Sequence, residues 1–353
     1  MRRLRLGFAH MGTRTLPAAV AGAALLAGGI AGCVNPAYSG LSAPKGGAGA
    51  GAAGGTGGSR PAHASLPATP GSYLGVFERD IPKSYRLVSR FARVLGNQPN
   101  LVLDFTYWNE PFVAAFARQA AAHGATVVID MDPTGPSVRA IAAGKEDGYL
   151  ETYADAVRAF GGPVVISFGH EMNGNWYSWG WTHTSPAVFV RAWRHIVTVF
   201  RQAGADNVTW LWTVNVISGG EPAIRDWWPG DSYVTWAGID GYLPQRYYTF
   251  RNTFAPTIAE IRKITAKPIL IGETAVGQLT SQAAGIPGLF AGVAREHLLG
   301  LIWFDMAQSG GLYAQDWRLE GHPAAEAAFH RAVTRYLDVS PPSQSPGQTA
   351  ALP

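Results

Sequence analysis

The stretch "PVVISFGHEMNGNWYSWGW", residues 163–181, joins a short apolar run to a segment rich in polar and aromatic residues. Residues 164–168 are apolar apart from Ser167, which is typical of a strand covered on both faces. His170 and Glu171 follow directly, and Trp176 comes five residues later. The stretch therefore predicts a buried parallel strand with chemically capable side chains just beyond its carboxyl end.

Seven further runs of the same kind occur along the chain and alternate with amphipathic helical patterns. The eight predicted strands are 73–77, 101–105, 126–131, 164–168, 208–214, 236–240, 269–272 and 301–304. The predicted helices are 83–95, 111–122, 151–160, 186–203, 254–265, 287–297 and 323–336, and the fifth connection, "GGEPAIRDWWPGDSY", allows only a short helix. Eight βα units predict a single α/β domain, a (β/α)8 TIM barrel. A doubly wound sheet is the alternative, but the Gly-rich phosphate turn typical of that fold does not follow the first strand.

The amino-terminal region predicts export. Arg2, Arg3 and Arg5 precede an uncharged apolar run at 16–30, which is short for a membrane span and typical of a signal peptide. The sequence "IAGC" ending at Cys33 resembles a bacterial lipobox. We expect a lipoprotein signal at 1–33 with Cys33 lipidated, an ordinary secretory signal being the alternative. A Gly/Ala/Pro-rich linker at 34–71, the barrel at 72–339 and a disordered tail at 340–353 complete the predicted organisation. The predicted location is extracytoplasmic.

Charge and cysteine content exclude several classes of protein. Four of the 28 basic residues precede Cys33, so the remainder of the chain holds 24 basic and 24 acidic residues. This balance lacks the basic footprint that a nucleic-acid partner requires. Cys33 is the single cysteine, so the domain must be stabilised by its core without an internal disulfide. We expect a monomer whose contact with the membrane is made through the lipid anchor alone.

The His170–Glu171 pair does not fit a zinc protease helix, because Gly174 occupies the position that a second histidine would need. Ser167 does not fit a nucleophile elbow, since it lies inside the predicted strand. We therefore expect neither a metal nor another cofactor. Glu273, in "PILIGETA", ends the seventh strand and lies nearly opposite Glu171 across an eight-stranded barrel. Such a pair of carboxyl groups is what glycoside hydrolysis requires.

Aromatic residues lie at or beyond the ends of several predicted strands, including Trp176, Tyr242 and Trp303. Sugar rings stack their C–H faces on aromatic side chains, so these residues are candidates for substrate binding, with Trp176 and Trp303 as stacking platforms. Trp179 and Trp181 also follow a strand end.

The motif "HEMNGNWYSWG" resembles the proton-donor signature of glycoside hydrolase family 26, the β-mannanase-type barrels. The resemblance extends over residues 75–305 through "VTWLWTVN", "WWPGDSYVTWAGIDGYLP", "KPILIGETA" and "GLIWFDM". It implies a retaining hydrolase with Glu171 as acid/base and Glu273 as nucleophile. The residues expected to bind the polysaccharide are His170, Asn173, Trp176, Tyr242, Trp303 and Asp132.

Two positions depart from the family pattern. Ser167 stands where many members have an arginine, and Thr235 stands where an aspartate is frequent. Both leave the substrate open, because members of the family act on mannans, mixed-linkage β-glucans or β-1,3-xylans. We expect β-1,4-mannan or glucomannan. A carbohydrate-binding, cell-wall-associated barrel without turnover is the alternative from another class of protein.

Overall fold

The barrel is closed by eight parallel strands that follow one another in chain order. The computed structural model describes residues 66–277, 282–308 and 315–339. The strands are β1 Tyr73–Phe77, β2 Leu101–Tyr107, β3 Thr126–Asp132, β4 Val164–Phe168, β5 Val208–Asn215, β6 Trp236–Asp240, β7 Ile269–Thr274 and β8 Gly300–Phe304. Pairing of β1 with β8 along their whole length closes the sheet. The predicted (β/α)8 barrel is thereby confirmed.

Helices surround this barrel and cover the outer face of its strands. They are α1 Arg86–Leu95, α2 Ala114–Ala122, α3 Val138–Ala142, α4 Asp147–Phe160, α5 Pro186–Gln202, α6 Phe250–Thr253, α7 Ala255–Ile264, α8 Gln282–Arg295 and α9 Pro323–Tyr336. The fifth connection contains two 3-10 turns, Ile224–Trp227 and Asp231–Tyr233, in agreement with its predicted shortness. Within the described ranges, no helix is long and apolar enough to cross a membrane.

The apolar residues form two separate cores. Side chains that point into the barrel, such as Leu103, Val165 and Ile302, form a small inner core. A larger outer core lies between strands and helices. Successive residues of a strand point to opposite faces, so each strand contributes to both cores. The inner core fills the amino-terminal part of the barrel, and polar side chains occupy the carboxyl-terminal end.

Parts of the predicted organisation concern residues that the structure does not describe. The predicted signal peptide at 1–33 with Cys33 and the tail at 340–353 lie outside the described residues. The predicted linker at 34–71 overlaps them at 66–71. There, Leu66 joins the inner core and the Gly71 amide donates to the Leu298 carbonyl at 2.9 Å. These last residues of the predicted linker therefore pack against the barrel.

Candidate active site

A tight turn after β4 brings Glu171 into the mouth of the barrel. Gly169 and Glu171 both have positive φ angles, 54° and 53°, a conformation that is uncommon for a residue with a side chain. The Glu171 amide donates to the Thr213 carbonyl of β5 at 3.1 Å, and the Gly174 amide donates to the Glu171 carbonyl at 2.8 Å. Backbone strain of this kind persists where the surrounding structure imposes it, and it is concentrated at functional sites.

The Glu171 carboxyl group is fully buried and receives two hydrogen bonds. Trp176 Nε1 donates to Oε2 at 3.0 Å, and Asn215 Nδ2 donates to Oε1 at 2.5 Å. Asn215 is held in turn by Asn173, whose Oδ1 accepts from the Asn215 amide at 2.8 Å and whose Nδ2 donates to the Asn215 carbonyl at 2.9 Å. Burial raises the pKa of Glu171, and the charge of His170 and both donors partly offset this effect.

The Glu273 carboxyl group ends β7 and is also buried, with 1% of its surface exposed. Tyr242 donates its hydroxyl proton to Oε2 at 2.5 Å. In the described part of the chain, Oε1 has no hydrogen-bond partner and lies 3.9 Å from His170 Nε2. Burial raises the pKa of Glu273, His170 lowers it and the neighbouring Glu171 raises it further. One oxygen of Glu273 is thus anchored and the other is available for reaction.

His170 lies between carboxylates and is 1% exposed. Its Nδ1 lies 3.0 Å from Asp132 Oδ1 and 3.9 Å from Asp130 Oδ2, and its Nε2 lies 3.2 Å from the Tyr177 hydroxyl oxygen. Burial alone would disfavour the charge, but Asp132, Asp130 and Glu273 outweigh it and hold the pKa of His170 well above its ordinary value. The site therefore contains an imidazolium beside Glu273.

One group of possible metal ligands exists among the described residues: Asp130, His170 and Glu273, whose ligand atoms lie within 4.8 Å of one another. Both nitrogens of His170 already have partners, Asp132 and Tyr177. A metal ion would have to displace one of them and would need the imidazole to be neutral. The geometry therefore fits an ion-pair cluster better than a metal centre.

The two glutamates influence each other through space. Burial raises the pKa of both, and the charge on Glu171 also raises that of Glu273. Two interacting carboxyl groups lose their protons in two steps that belong to the pair. The imidazolium of His170 stabilises the ionised form of both glutamates. Asn215 and Trp176 donate to Glu171, and Tyr242 donates to Glu273, so each carboxyl group also has hydrogen-bond donors.

Four of the predicted substrate-binding residues contact other residues of the site, and their binding of substrate stays a prediction. Asp132 binds His170, Asn173 binds the backbone of Asn215, and Trp176 and Tyr242 each donate to a glutamate. Trp176 is half-buried, so its ring remains accessible beside Glu171. These contacts depend on side chains from several strands, which the sequence motif alone does not reveal.

The prediction that Trp303 is a stacking platform is wrong. Its side chain is fully buried, and Nε1 donates to the Trp317 carbonyl at 3.1 Å. The ring packs edge-on against Phe329 of α9 at 5.3 Å, in the outer core. Ile302 points into the barrel, so its neighbour Trp303 points out. Phe304, the next residue, instead packs against Tyr242 with ring centroids 5.7 Å apart.

The fold brings four further residues to the site that the sequence reasoning did not assign to it: Tyr177, Asn215, Asp130 and Asp240. Two signals in the sequence could have indicated three of them. Asn215 and Asp240 end strands, and Asp130 lies two residues before Asp132, on the same face of β3. Asp240 is fully buried, and within the described ranges neither carboxyl oxygen has a hydrogen-bond partner. Burial and the nearby Glu273 hold its pKa well above its ordinary value.

The two departures from the family pattern lie in different places. The Ser167 hydroxyl points into the barrel and donates to Thr213 Oγ1 at 3.1 Å, and it lies beside Asp130. Thr235 precedes β6, at the opposite end of the strand from the glutamates, where its Oγ1 accepts from the Trp210 amide. Ser167 therefore belongs to the floor of the site, and Thr235 does not contribute to it.

The fold and the site define a TIM barrel with a buried carboxyl pair at its carboxyl-terminal edge, the arrangement used in glycoside hydrolysis. The model of glycosyl hydrolase family 26 matches residues 136–334, more than half of the chain. The chain therefore belongs to glycosyl hydrolase family 26.

Similar proteins include members of known activity. Endoglucanase H of Acetivibrio thermocellus is 27% identical over 263 residues, which cover 70% of this chain and 29% of that protein. A mannan endo-1,4-beta-mannosidase of Bacillus subtilis is 25% identical over 183 residues, covering 49% of this chain and 45% of that protein. The chain thus spans under half the length of these relatives. The catalytic domain of a Bacillus sp. JAMB-750 endo-beta-1,4-mannanase has the same fold, with a TM-score of 0.58, 15% identity, and coverage of 76% of this chain and 87% of that one.

Proposed function

We propose that this protein is a retaining glycoside hydrolase that cleaves β-glycosidic bonds inside a polysaccharide. The observation that carries the proposal is the pair of buried glutamates, Glu171 and Glu273, at the carboxyl-terminal end of the barrel, with Oε1 of Glu273 accepting from no described residue. Glu273 lies beside an imidazolium and accepts from Tyr242, which favours the carboxylate. The proposal assigns the proton that the pair shares to Glu171, which can then donate it.

The reaction proceeds in two displacements. In the first, Glu273 Oε1 attacks the anomeric carbon while the glycosidic oxygen takes the proton of Glu171 and leaves with the bonding electrons. The product is a glycosyl ester of Glu273. In the second, Glu171 takes a proton from water, the water oxygen bonds to the anomeric carbon, and the ester bond breaks to release Glu273. Retention requires the two carboxyl groups to be about 5 to 5.5 Å apart, a separation that stays a prediction.

The neighbouring residues fix this geometry. Asn215 and Trp176 each hold one oxygen of Glu171, so the carboxyl group cannot rotate away from the glycosidic oxygen. Tyr242 holds Oε2 of Glu273 and leaves Oε1 free to attack. Because the donors are already in place, they need no reorganisation during the reaction.

For the substrate, we propose β-1,4-mannan or glucomannan. The mannan-cleaving relative from Bacillus subtilis supports this choice. A β-glucan is the second candidate, because endoglucanase H aligns with a larger share of the chain. A panel of mannan, glucomannan, lichenan and β-1,3-xylan, with product sizes recorded, decides among the substrates and shows whether cleavage is internal.

Two variants test the assigned roles. Glu171→Ala should still form the glycosyl-enzyme from an aryl glycoside, because an aryl leaving group needs little protonation, whereas Glu273→Ala should not. Equal loss in both variants would contradict the assignment. Proton NMR of the first-formed product should show the β anomer. A wild type that binds these glycans but releases no reducing sugar would favour the non-hydrolytic binding barrel instead.

We also propose that the protein is a lipoprotein attached to the extracytoplasmic face of a bacterial membrane through Cys33. The apolar run at 16–30 and the "IAGC" sequence support this location. Mass spectrometry of the mature amino terminus tests the proposal. A diacylglyceryl group on Cys33, with loss of membrane association in Cys33→Ala, is the expected result, and an unmodified thiol would indicate an ordinary secretory signal.

A further inference from the structure

Tyr177 is a phenol at the site whose position is set by packing. It lies in the loop between β4 and α5, and its ring stacks on Trp179 with centroids 4.2 Å apart and an interplanar angle of 8°. Trp179 is buried, and its Nε1 donates to the His170 carbonyl at 2.8 Å. The hydroxyl group of Tyr177 is therefore held on a rigid support although it belongs to a loop.

The direction of the hydrogen bond between His170 and Tyr177 follows from the charge of the imidazole. A protonated imidazole donates from both nitrogens. Nδ1 donates to Asp132 at 3.0 Å, so Nε2 donates to the Tyr177 oxygen at 3.2 Å. The phenol oxygen is thus an acceptor in this contact, and its own proton must point elsewhere.

No described residue accepts that proton. Burial, followed by the carboxyl groups of Glu171, Asp132 and Glu273, holds the pKa of Tyr177 well above its ordinary value, so the hydroxyl remains protonated. His170 Nε2, which contacts the phenol oxygen, lies 3.9 Å from Glu273 Oε1, so the hydroxyl is close to the carboxyl group proposed as nucleophile. The hydroxyl therefore has a proton to donate at the site, and the described residues supply no oxygen to accept it.

We propose that Tyr177 is a substrate-binding residue whose hydroxyl donates a hydrogen bond to a hydroxyl oxygen of the sugar unit between Glu171 and Glu273. The proposal rests on the proposed function, because that function places a sugar at this point. The hydrogen bond from His170 polarises the phenol and makes it a stronger donor. Tyr177 thereby selects sugars that present a hydroxyl group at the matching position.

The test is Tyr177→Phe, which removes the hydroxyl and keeps the ring on Trp179. We expect kcat/KM on the best polysaccharide to fall about 2- to 13-fold, the effect of losing one neutral hydrogen bond. Tyr247→Phe is the matched control, because Tyr247 is 69% exposed. It should remain within twofold of the wild type.

A series of aryl β-disaccharides, each lacking one hydroxyl group on the reducing-end sugar, separates substrate binding from a structural role. The loss in Tyr177→Phe should disappear for the analogue that lacks the partner hydroxyl and persist for the others. An equal loss for every analogue, or no loss for the parent compound, would overturn the proposal.

Wild-type turnover tests the proposed function independently of Tyr177. If the wild type binds the oligosaccharides without cleaving them, the same series is measured as Kd, and the same pattern is required. If the wild type neither binds nor cleaves any member of the panel, both proposals are wrong.

Discussion

Substituting Tyr242 with phenylalanine should move the pH profile of the reaction. Tyr242 donates to Glu273 Oε2 at 2.5 Å, and both side chains are buried, so solvent does not screen the contact. A hydrogen bond to a charged group contributes roughly 1.5–3 kcal/mol. The donor stabilises the carboxylate, so its loss should raise the pKa of Glu273 by about 1 to 2 units.

The sign of the effect on activity follows from the role proposed for Glu273. The nucleophile reacts as the carboxylate, so the acid limb of kcat/KM against pH should move to higher pH in Tyr242→Phe. Below that limb, kcat/KM should fall roughly 10- to 100-fold. The ring still packs against Trp317 and Phe304, so the melting temperature should change little.

The assay is hydrolysis of an activated aryl β-glycoside from pH 4 to pH 9, with Tyr247→Phe as the control. An activated leaving group makes the first displacement less dependent on the acid, so the acid limb reports the nucleophile. An acid limb that stays in place, or moves to lower pH, would refute the argument that Tyr242 stabilises the ionised form of Glu273.

Four further variants test the packing and the buried charges. Burial and Asp305 raise the pKa of Glu78 from 4.5 to about 9, so the free energy of unfolding should fall as pH rises between these values. In urea unfolding, Glu78→Gln should therefore be more stable than the wild type at pH 8 but not at pH 4. On α8, Gly288→Ala should stabilise the fold by about 0.5–1 kcal/mol, because a Cβ at this position meets no other atom. Gly292→Ala should destabilise the fold by about 1–3 kcal/mol, because its Cβ would meet a buried aromatic ring. Equal unfolding midpoints for the two variants would contradict this prediction. Trp303→Phe should lower the free energy of unfolding by about 1–3 kcal/mol and leave KM unchanged. A raised KM with unchanged stability would restore Trp303 as a stacking platform for the sugar.

Much of the fold and the proposed catalytic pair could be predicted from local sequence. Short apolar runs separated by amphipathic segments determine parallel strands covered on both faces, and their number determines a barrel. The strand ends then identify Glu171 and Glu273, because parallel strands place their carboxyl ends at one edge. These properties depend on the order and periodicity of residues, which the chain carries by itself.

The tertiary structure decided how each side chain is used. Trp303 lies near the end of β8, but the register of this strand turns its side chain to the helices, since neighbouring residues of a strand face opposite ways. Tyr177 is one aromatic among several in "NWYSW", and its role depends on the loop conformation that brings its hydroxyl to His170. The sequence by itself determined the barrel and its two glutamates. Only the folded barrel decided the partners of those glutamates, because these contacts join strands and loops that are far apart in the chain.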